Sequence, residues 1–319
     1  MARERDRRGA APPIAVPPHV AALLGEEAPA LLAALEGPSP ISIRLNRRKP
    51  VPDRGSPVPW CGMGRYLLER PVFTLDPLLH AGCYYVQEAS SMLLEQAVHA
   101  AGPWPADTVA LDLCAAPGGK STHIADLLPE EALLICNEPV RPRQAALQEN
   151  LLKWGRTGTV ITGARPEAFL PLGAFADLIV VDAPCSGEGM FRKEPFARTQ
   201  WNDGLVEHCA LQQRAILEVA WELLRPGGTV DLQHLHLGGT GERTAGAAAD
   251  RQGRTADPAA DRSRMGRGGR RTRLPVLSPS PRGGRVLHRR CMQARRTEAA
   301  SPRPGHRAIP GTGRMVLPA

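Results

Sequence analysis

Apolar residues recur along this chain with two different periods, and the change between them divides it. His19 to Leu35 is apolar at helical spacing (Val20, Leu23, Leu24, Leu31, Leu32, Leu35), which predicts an amphipathic helix pair broken near Gly25. Ile41-Ser-Ile-Arg-Leu45 alternates and predicts a strand, with the basic turn Arg47-Arg48-Lys49 after it. Val58-Pro-Trp-Cys61 and Arg65-Tyr-Leu-Leu68 read as short extended pieces. Tyr84-Tyr-Val-Gln-Glu88 leads into a helix from Ala89 to Ala101. Residues 1–18 read as a disordered leader, and residues 19–104 as a small α/β module.

From Asp107 strands and helices alternate. Thr108–Leu113, Ala132–Cys136, Thr159–Ile161 and Ala176–Val181 are the predicted strands. Ser121–Leu128, Arg141–Trp154 and Leu205–Leu224 are the predicted helices, the last stopped by Arg225-Pro-Gly-Gly228. Such alternation implies a parallel sheet with helices on both faces and a ligand at the C-terminal strand ends. This core spans residues 105–229. Beyond Thr229 the pattern lapses. Val230-Asp-Leu-Gln-His-Leu-His236 is a poor strand, and the Ala/Gly/Arg/Pro-rich remainder has no period. The sheet is therefore expected to stop after its fourth strand and the following helix. Residues 230–319 are expected to be largely unstructured, because their composition buries too little apolar surface. An exposed sheet edge then predicts poor solubility.

Charge sharpens that division. The net +8 is an average of two unlike halves. Residues 230–319 hold 18 Arg and no Lys against 6 acids, leaving +12, and contain no Phe, Trp or Tyr. Residues 1–229 hold 22 bases and 26 acids, leaving −4. No run of about 18 apolar residues exists to span a membrane. The charged start, Met1 to Arg8, runs into Ala/Pro-rich sequence without an apolar segment, so a cytoplasmic location is expected. The seven cysteines are scattered and none forms C-x-x-C, so neither a metal site nor a disulfide framework is expected.

The chemistry concentrates at two strand ends. Asp112-Leu-Cys-Ala-Ala-Pro-Gly-Gly-Lys-Ser-Thr122 joins a strand to a helix through a Pro-Gly-Gly turn. Free N–H groups at a helix start, with glycines that admit a ligand to the main chain, suit a nucleotide-type cofactor. Laid on G-x-x-x-x-G-K-[ST], Cys114 to Ser121 matches except at the first glycine, and no G-x-G-x-x-G is present. Glu138 ends the next strand, 26 residues after Asp112, where a carboxylate can accept from both ribose hydroxyls. That favours an S-adenosylmethionine loop over a P-loop. Asp182-Ala-Pro-Cys-Ser-Gly-Glu-Gly-Met-Phe-Arg-Lys193 ends the fourth strand. It sets an acid, the Cys185 thiol and two cations at the ligand edge, which suits a planar polar substrate on an anionic backbone.

Leu111 to Thr122, Asn137-Glu-Pro-Val-Arg-Pro-Arg143 and Asp182 to Lys193 together resemble the Sun/RsmB/RsmF family. These are S-adenosylmethionine-dependent RNA cytosine-C5 methyltransferases, and the RsmF-like rRNA branch is the most similar. Ile43-Arg-Leu-Asn46, Val58-Pro-Trp-Cys61 and Tyr84 to Met92 resemble that branch's N-terminal region. The resemblance covers about residues 18–229. It implies a Rossmann-like class I methyltransferase sheet, preceded by a small α/β RNA-binding module. Cys114, Ala115, Ala116, Pro117, Gly118, Gly119 and Lys120 would hold S-adenosyl-L-methionine, with Glu138 on its ribose. Asp182 would lie near the methionine end and the target base. Arg44, Asn46, Arg192 and Lys193 would face RNA, either rRNA or a ribosomal subunit. No metal or membrane partner is implied, and a monomer is expected. The family's third cofactor motif carries an acid that Val160-Ile-Thr-Gly-Ala-Arg165 lacks.

The family mechanism uses two cysteines, because C5 of cytosine becomes nucleophilic only after a thiolate adds to C6. Cys185 matches the second, release-assisting thiol. The nucleophile belongs to a Ser-Thr-Cys-Thr motif soon after Pro-Gly-Gly-Thr, and this chain has no cysteine between Cys209 and Cys291. Gln233-His-Leu-His236 can be encoded CAG CAC CTG CAC. Read one base later, the same bases encode Ser-Thr-Cys-Thr. A frame shift near residue 229 thus accounts for the Lys-free tail and makes the chain inactive as written. The alternative is a non-catalytic RNA-binding protein with a genuine basic tail and a vestigial pocket.

Overall fold

In the computed structural model, the described residues are 25–27, 29–30, 33, 36–187, 190–191, 194, 197–234 and 290–295. Two sheets organise them. The first is antiparallel, in the order β2-β3-β1-β4, from β1 (Ile41–Leu45), β2 (Ser56–Val58), β3 (Cys61–Leu67) and β4 (Tyr84–Val86). In β1, Ile43 and Leu45 pack with Tyr84 in a small core. The expected alternation of that strand is therefore present. Of the predicted N-terminal helix pair, only a short 3₁₀ turn, Gly25–Glu27, and isolated helical residues lie among the described residues.

A 3₁₀ segment, Ala89–Leu93, leads into α1 (Leu94–Ala101), which bridges to the second sheet. There β5 (Val109–Asp112), α2 (Gly119–Leu127), β6 (Leu133–Asn137), α3 (Arg141–Trp154), β7 (Thr159–Thr162), β8 (Ala176–Asp182), α4 (Asp203–Leu223), β9 (Leu224–His234) and β10 (Arg290–Arg295) follow. The strand order is β10-β9-β8-β5-β6-β7, parallel except for β10. The chain winds outward one way from β5 through β6 to β7, then the other way through β8 to β9. The C-terminal ends of β5 and β8 thus flank the topological switch point, where open α/β sheets bind ligands.

Both faces are covered, which explains why β5 and β8 read as continuous apolar runs. Ala110, Leu178 and Val180 pack against Ile124, Leu147, Leu151 and Trp154 on one face. Their neighbours Leu111, Ile179 and Val181 pack against Val219, Ala220 and Leu223 on the other. Helix ends follow local chemistry. The Asn202 side chain accepts from Leu205 N at the start of α4 (2.9 Å), and Gly155 (φ 81°) closes α3 with its N–H on Leu151 O.

One expectation about the C-terminal part needs correction. The sheet does not end after β8 and α4, since β9 adds a fifth parallel strand through Gln233. Val230 and Leu232 alternate onto the face that carries Val219 and Leu223, and β8 supplies the ladder that the sequence by itself could not reveal. Within residues 230–319, Arg290–Arg295 pairs antiparallel with Thr229–His234 of β9. The other residues of that stretch lie outside the described ones.

Candidate functional site: a cofactor crevice at the switch point

The turn after β5 is held by its own strand end. Asp112 is fully buried; its Oδ2 accepts from Ser121 Oγ at 2.7 Å, and its Oδ1 accepts from Cys114 N at 3.3 Å. Burial pushes its carboxyl up to about 6, with Asp182 adding to the rise and Ser121 and Lys120 opposing it. Ala115 N donates to Asn137 O (2.9 Å) and Gly118 N to Ala115 O (2.8 Å). Gly118 sits at φ 107°, where a side chain is strained. A Cβ on Gly119 would stand 3.2 Å from the Tyr85 ring. The loop is thus wedged between α3 and the N-terminal module.

The predicted cofactor residues cluster around this loop. Ala115, Ala116, Gly118, Lys120 and Glu138 are buried, Cys114 and Gly119 half-buried, and Pro117 exposed. Burial pushes the Cys114 thiol up to about 12, and Asp112, Asp182 and Glu138 add to the rise. Lys120 forms an ion pair with Asp182, joining the ends of β5 and β8 across the switch point. Asp182 is half-exposed there, and Cys185 is exposed on the loop beyond it. Gln213 of α4 donates to Pro184 O at 2.7 Å, fixing that loop from behind.

Glu138 is the most informative group. It is 1 % exposed, and its Oε1 accepts from Val140 N at 2.9 Å. Its Oε2 is buried with no hydrogen-bond donor. Arg143 Nη1 stands 3.2 Å away as a charge neighbour, out of hydrogen-bond alignment. A buried carboxylate oxygen without a donor is costly unless a ligand supplies one. Ribose hydroxyls are such donors, so the residues present fit a nucleoside cofactor.

Sequence reasoning missed Arg143 as a site residue. Its Nη2 donates to Ala116 O (2.7 Å) while Nη1 faces Glu138, so one side chain spans loop and carboxylate. The signal was its position one turn into the helix after Glu138.

Arg44 and Asn46 need correction: they do not face RNA. Each is 1 % exposed. Arg44 donates to Gln87 Oε1 (2.8 Å) and Thr122 Oγ1 (2.6 Å) and pairs with Asp126 (3.1 Å). Its guanidinium also stacks over the Trp154 ring, 4.4 Å from the centroid. Asn46 donates to Gly82 O and Trp154 O. Both residues fasten the N-terminal module to α2 and α3. Arg192 and Lys193 lie outside the described residues.

Comparison with known proteins follows the same two-part division. The family model for 16S rRNA methyltransferase RsmB/F matches residues 100–232. The one for the N-terminal domain of 16S rRNA methyltransferase RsmF matches residues 15–89. A ribosomal RNA small subunit methyltransferase F from Pectobacterium atrosepticum is 36% identical over 217 residues, covering 62% of this chain and 44% of its own length. The Shewanella sediminis protein of that name is 38% identical over 182 residues, covering 54% and 37%. The chain spans less than half the length of these curated relatives. A methyltransferase homolog from Pyrococcus horikoshii has a TM-score of 0.57 at 28% identity, over 67% of this chain and 70% of its own. NSun6 from the same organism, solved with SFG, has a TM-score of 0.63 at 18% identity over 88% and 97%, which shows the shared fold. No helix among the described residues is long and apolar enough to cross a membrane. Both modules match in the same order along the chain, and it belongs to the RsmB/F family of 16S rRNA methyltransferases.

Proposed function

We propose that this chain carries the S-adenosylmethionine site of an rRNA cytosine-C5 methyltransferase. The observation that carries the reading is Glu138, a buried carboxylate with one oxygen lacking a donor, beside a glycine turn at the switch point. Residues Cys114 to Lys120 line the cofactor, Glu138 accepts from its ribose, and Asp182 faces its methionine end. When bound, S-adenosylmethionine supplies an electrophilic methyl group. Support comes from relatives named for rRNA methylation and from a neighbour solved with SFG, an S-adenosylmethionine analogue.

The chain's own residues act by positioning. The Lys120 ion pair holds the Asp182 side chain at the crevice. Arg143 holds Glu138 and the loop in one arrangement. Cys185, exposed on the loop after β8, matches the family's release-assisting thiol by its Pro-Cys motif and takes that role. Arg192 and Lys193 hold RNA phosphates. The thiol that would add to C6 is missing between Cys209 and Cys291. The RsmB/F match ends at residue 232, one residue before the Gln233-His-Leu-His236 stretch, for which the codons CAG CAC CTG CAC would read Ser-Thr-Cys-Thr one base later. This supports a frame shift as the origin of the tail. An uninterrupted frame in the sequenced locus, with no insertion or deletion near codons 229–233, removes that support.

Thermal stability of the full chain tests the cofactor assignment. S-Adenosylmethionine should raise Tm and ATP should not. Glu138→Gln should weaken cofactor binding roughly 10- to 150-fold, as loss of a charged hydrogen bond worth about 1.5–3 kcal/mol implies. Stabilisation by ATP alone refutes the reading in favour of a P-loop. Methyl transfer to rRNA by this polypeptide should be undetectable. Transfer that Cys185→Ala abolishes would make Cys185 the nucleophile instead.

A further inference from the structure

A second cluster of ligating side chains lies away from the crevice, in the seam between the two modules. Cys61 opens β3, Glu95 lies in the first turn of α1, and His123 lies in α2. All three are buried, at 2 %, 5 % and 1 % exposure. Cys61 Sγ is 3.8 Å from His123 Nε2, and His123 Nε2 is 3.1 Å from Glu95 Oε2. The three ligand atoms all lie within 4.8 Å of one another, the single such group among the described residues. Zinc bound to sulfur at 2.3 Å and to nitrogen or oxygen near 2.0–2.1 Å needs ligand atoms roughly 3.3–3.6 Å apart in a tetrahedron. The Cys61–His123 and His123–Glu95 separations bracket that range by a few tenths of an ångström.

The surroundings orient these atoms. Glu95 Oε1 accepts from Gly62 N at 3.0 Å and faces Arg47 Nη2 at 3.8 Å, which turns Oε2 toward His123. His123 Nδ1 has no partner, so the ring's polar contacts all lie on its Nε2 side. Arg44, a fully buried cation, is already met by Asp126. Burial, together with Glu95, pushes the Cys61 thiol up to about 12. Burial and the Arg44 charge bring the His123 imidazole down to about 4. His123 Nε2 is the ring nitrogen that faces both the Cys61 sulfur and the Glu95 carboxylate. Metal coordination deprotonates a thiol outright, and the resulting thiolate and carboxylate balance a dication.

We propose that Cys61, Glu95 and His123 bind one zinc ion that ties the N-terminal module to the helix behind the cofactor loop. A mixed sulfur, nitrogen and oxygen set suits zinc better than a hard cation such as magnesium or calcium. The ligands come from three elements separated by 62 positions in sequence. The ion therefore fixes how α2 sits on β3 and α1, and the site forms as the modules dock.

The test uses the purified full chain and cobalt(II) as a zinc probe. Titration should give a thiolate-to-cobalt charge-transfer band with tetrahedral visible bands, saturating at one equivalent and displaced by one equivalent of zinc. Cys61→Ser should remove the charge-transfer band. His123→Gln should weaken cobalt binding at least tenfold. Cys185→Ser, which alters an exposed thiol elsewhere, should leave both unchanged. A wild-type chain with no charge-transfer band overturns the proposal, and so does a band that Cys185→Ser removes. The wild-type titration decides the matter even if the buried variants fold poorly.

Discussion

Replacing Arg44 by Met distinguishes a buried fastener from an RNA contact. The guanidinium is 1 % exposed and faces Asp126 at 2 % exposure. It loses two short hydrogen bonds on substitution, to Gln87 Oε1 and Thr122 Oγ1, and its stacking on Trp154. Burial pulls its own pKa down to about 10, against the raising effect of Asp126, so holding the charge there already costs roughly 3 kcal/mol. Methionine removes that cost and keeps much of the apolar stem. It also strands the Asp126 carboxylate, and breaking a buried pair by removing one partner costs about 3–5 kcal/mol. Arg48 Nη1 still reaches Asp126 at 2.7 Å, and Trp154 Nε1 donates to it at 3.0 Å. The lower end is therefore expected, a loss of about 2–4 kcal/mol. Urea unfolding followed by far-ultraviolet circular dichroism reads it. Adding Asp126→Asn should recover part of the loss, since it removes the stranded charge. A single variant within about 0.5 kcal/mol of wild type, as expected for an exposed position, together with weakened RNA binding, would refute the burial of Arg44.

Two further outcomes follow from local geometry. Asp112 has a folded pKa near 6 against about 3.9 in an unfolded chain. The folded state therefore keeps a proton that the unfolded state loses, and the associated stability is complete below about pH 4 and lost as pH rises through 6. Asp112→Asn lacks this term, so its Tm relative to wild type should rise from pH 4 to pH 7; a flat difference refutes the shift. Gly64→Ala places a Cβ 2.8 Å from Met92 Sδ and from Val58 Cβ in the core of the small sheet. Overpacking there should cost about 1–3 kcal/mol in chemical denaturation, and an unchanged midpoint would show that the sheet yields.

Local pattern carried the parts of this protein that depend on neighbours in sequence. Apolar runs in β5 and β8, a glycine turn at Gly118 and a carboxylate at the end of β6 identify the parallel sheet and its crevice. Each of those signals acts within one strand–loop–helix unit, and strand ends converge by topology. What the tertiary structure alone decided lies between units. Arg44 lies in an alternating strand and Asn46 just past its end, where polar residues read as solvent-facing. The docking of α2 and α3 buries them instead, because Asp126, Gln87 and two backbone carbonyls meet their donors. The β9 strand was illegible because its stability comes from β8 and from the apolar face of α4, not from its own composition. Cys61, Glu95 and His123 share no spacing motif, and only the closing of the N-terminal module onto α2 brings their ligand atoms together. Sequence alone fixed the chemistry of each strand end; packing between the modules fixed which polar groups remain open to a ligand.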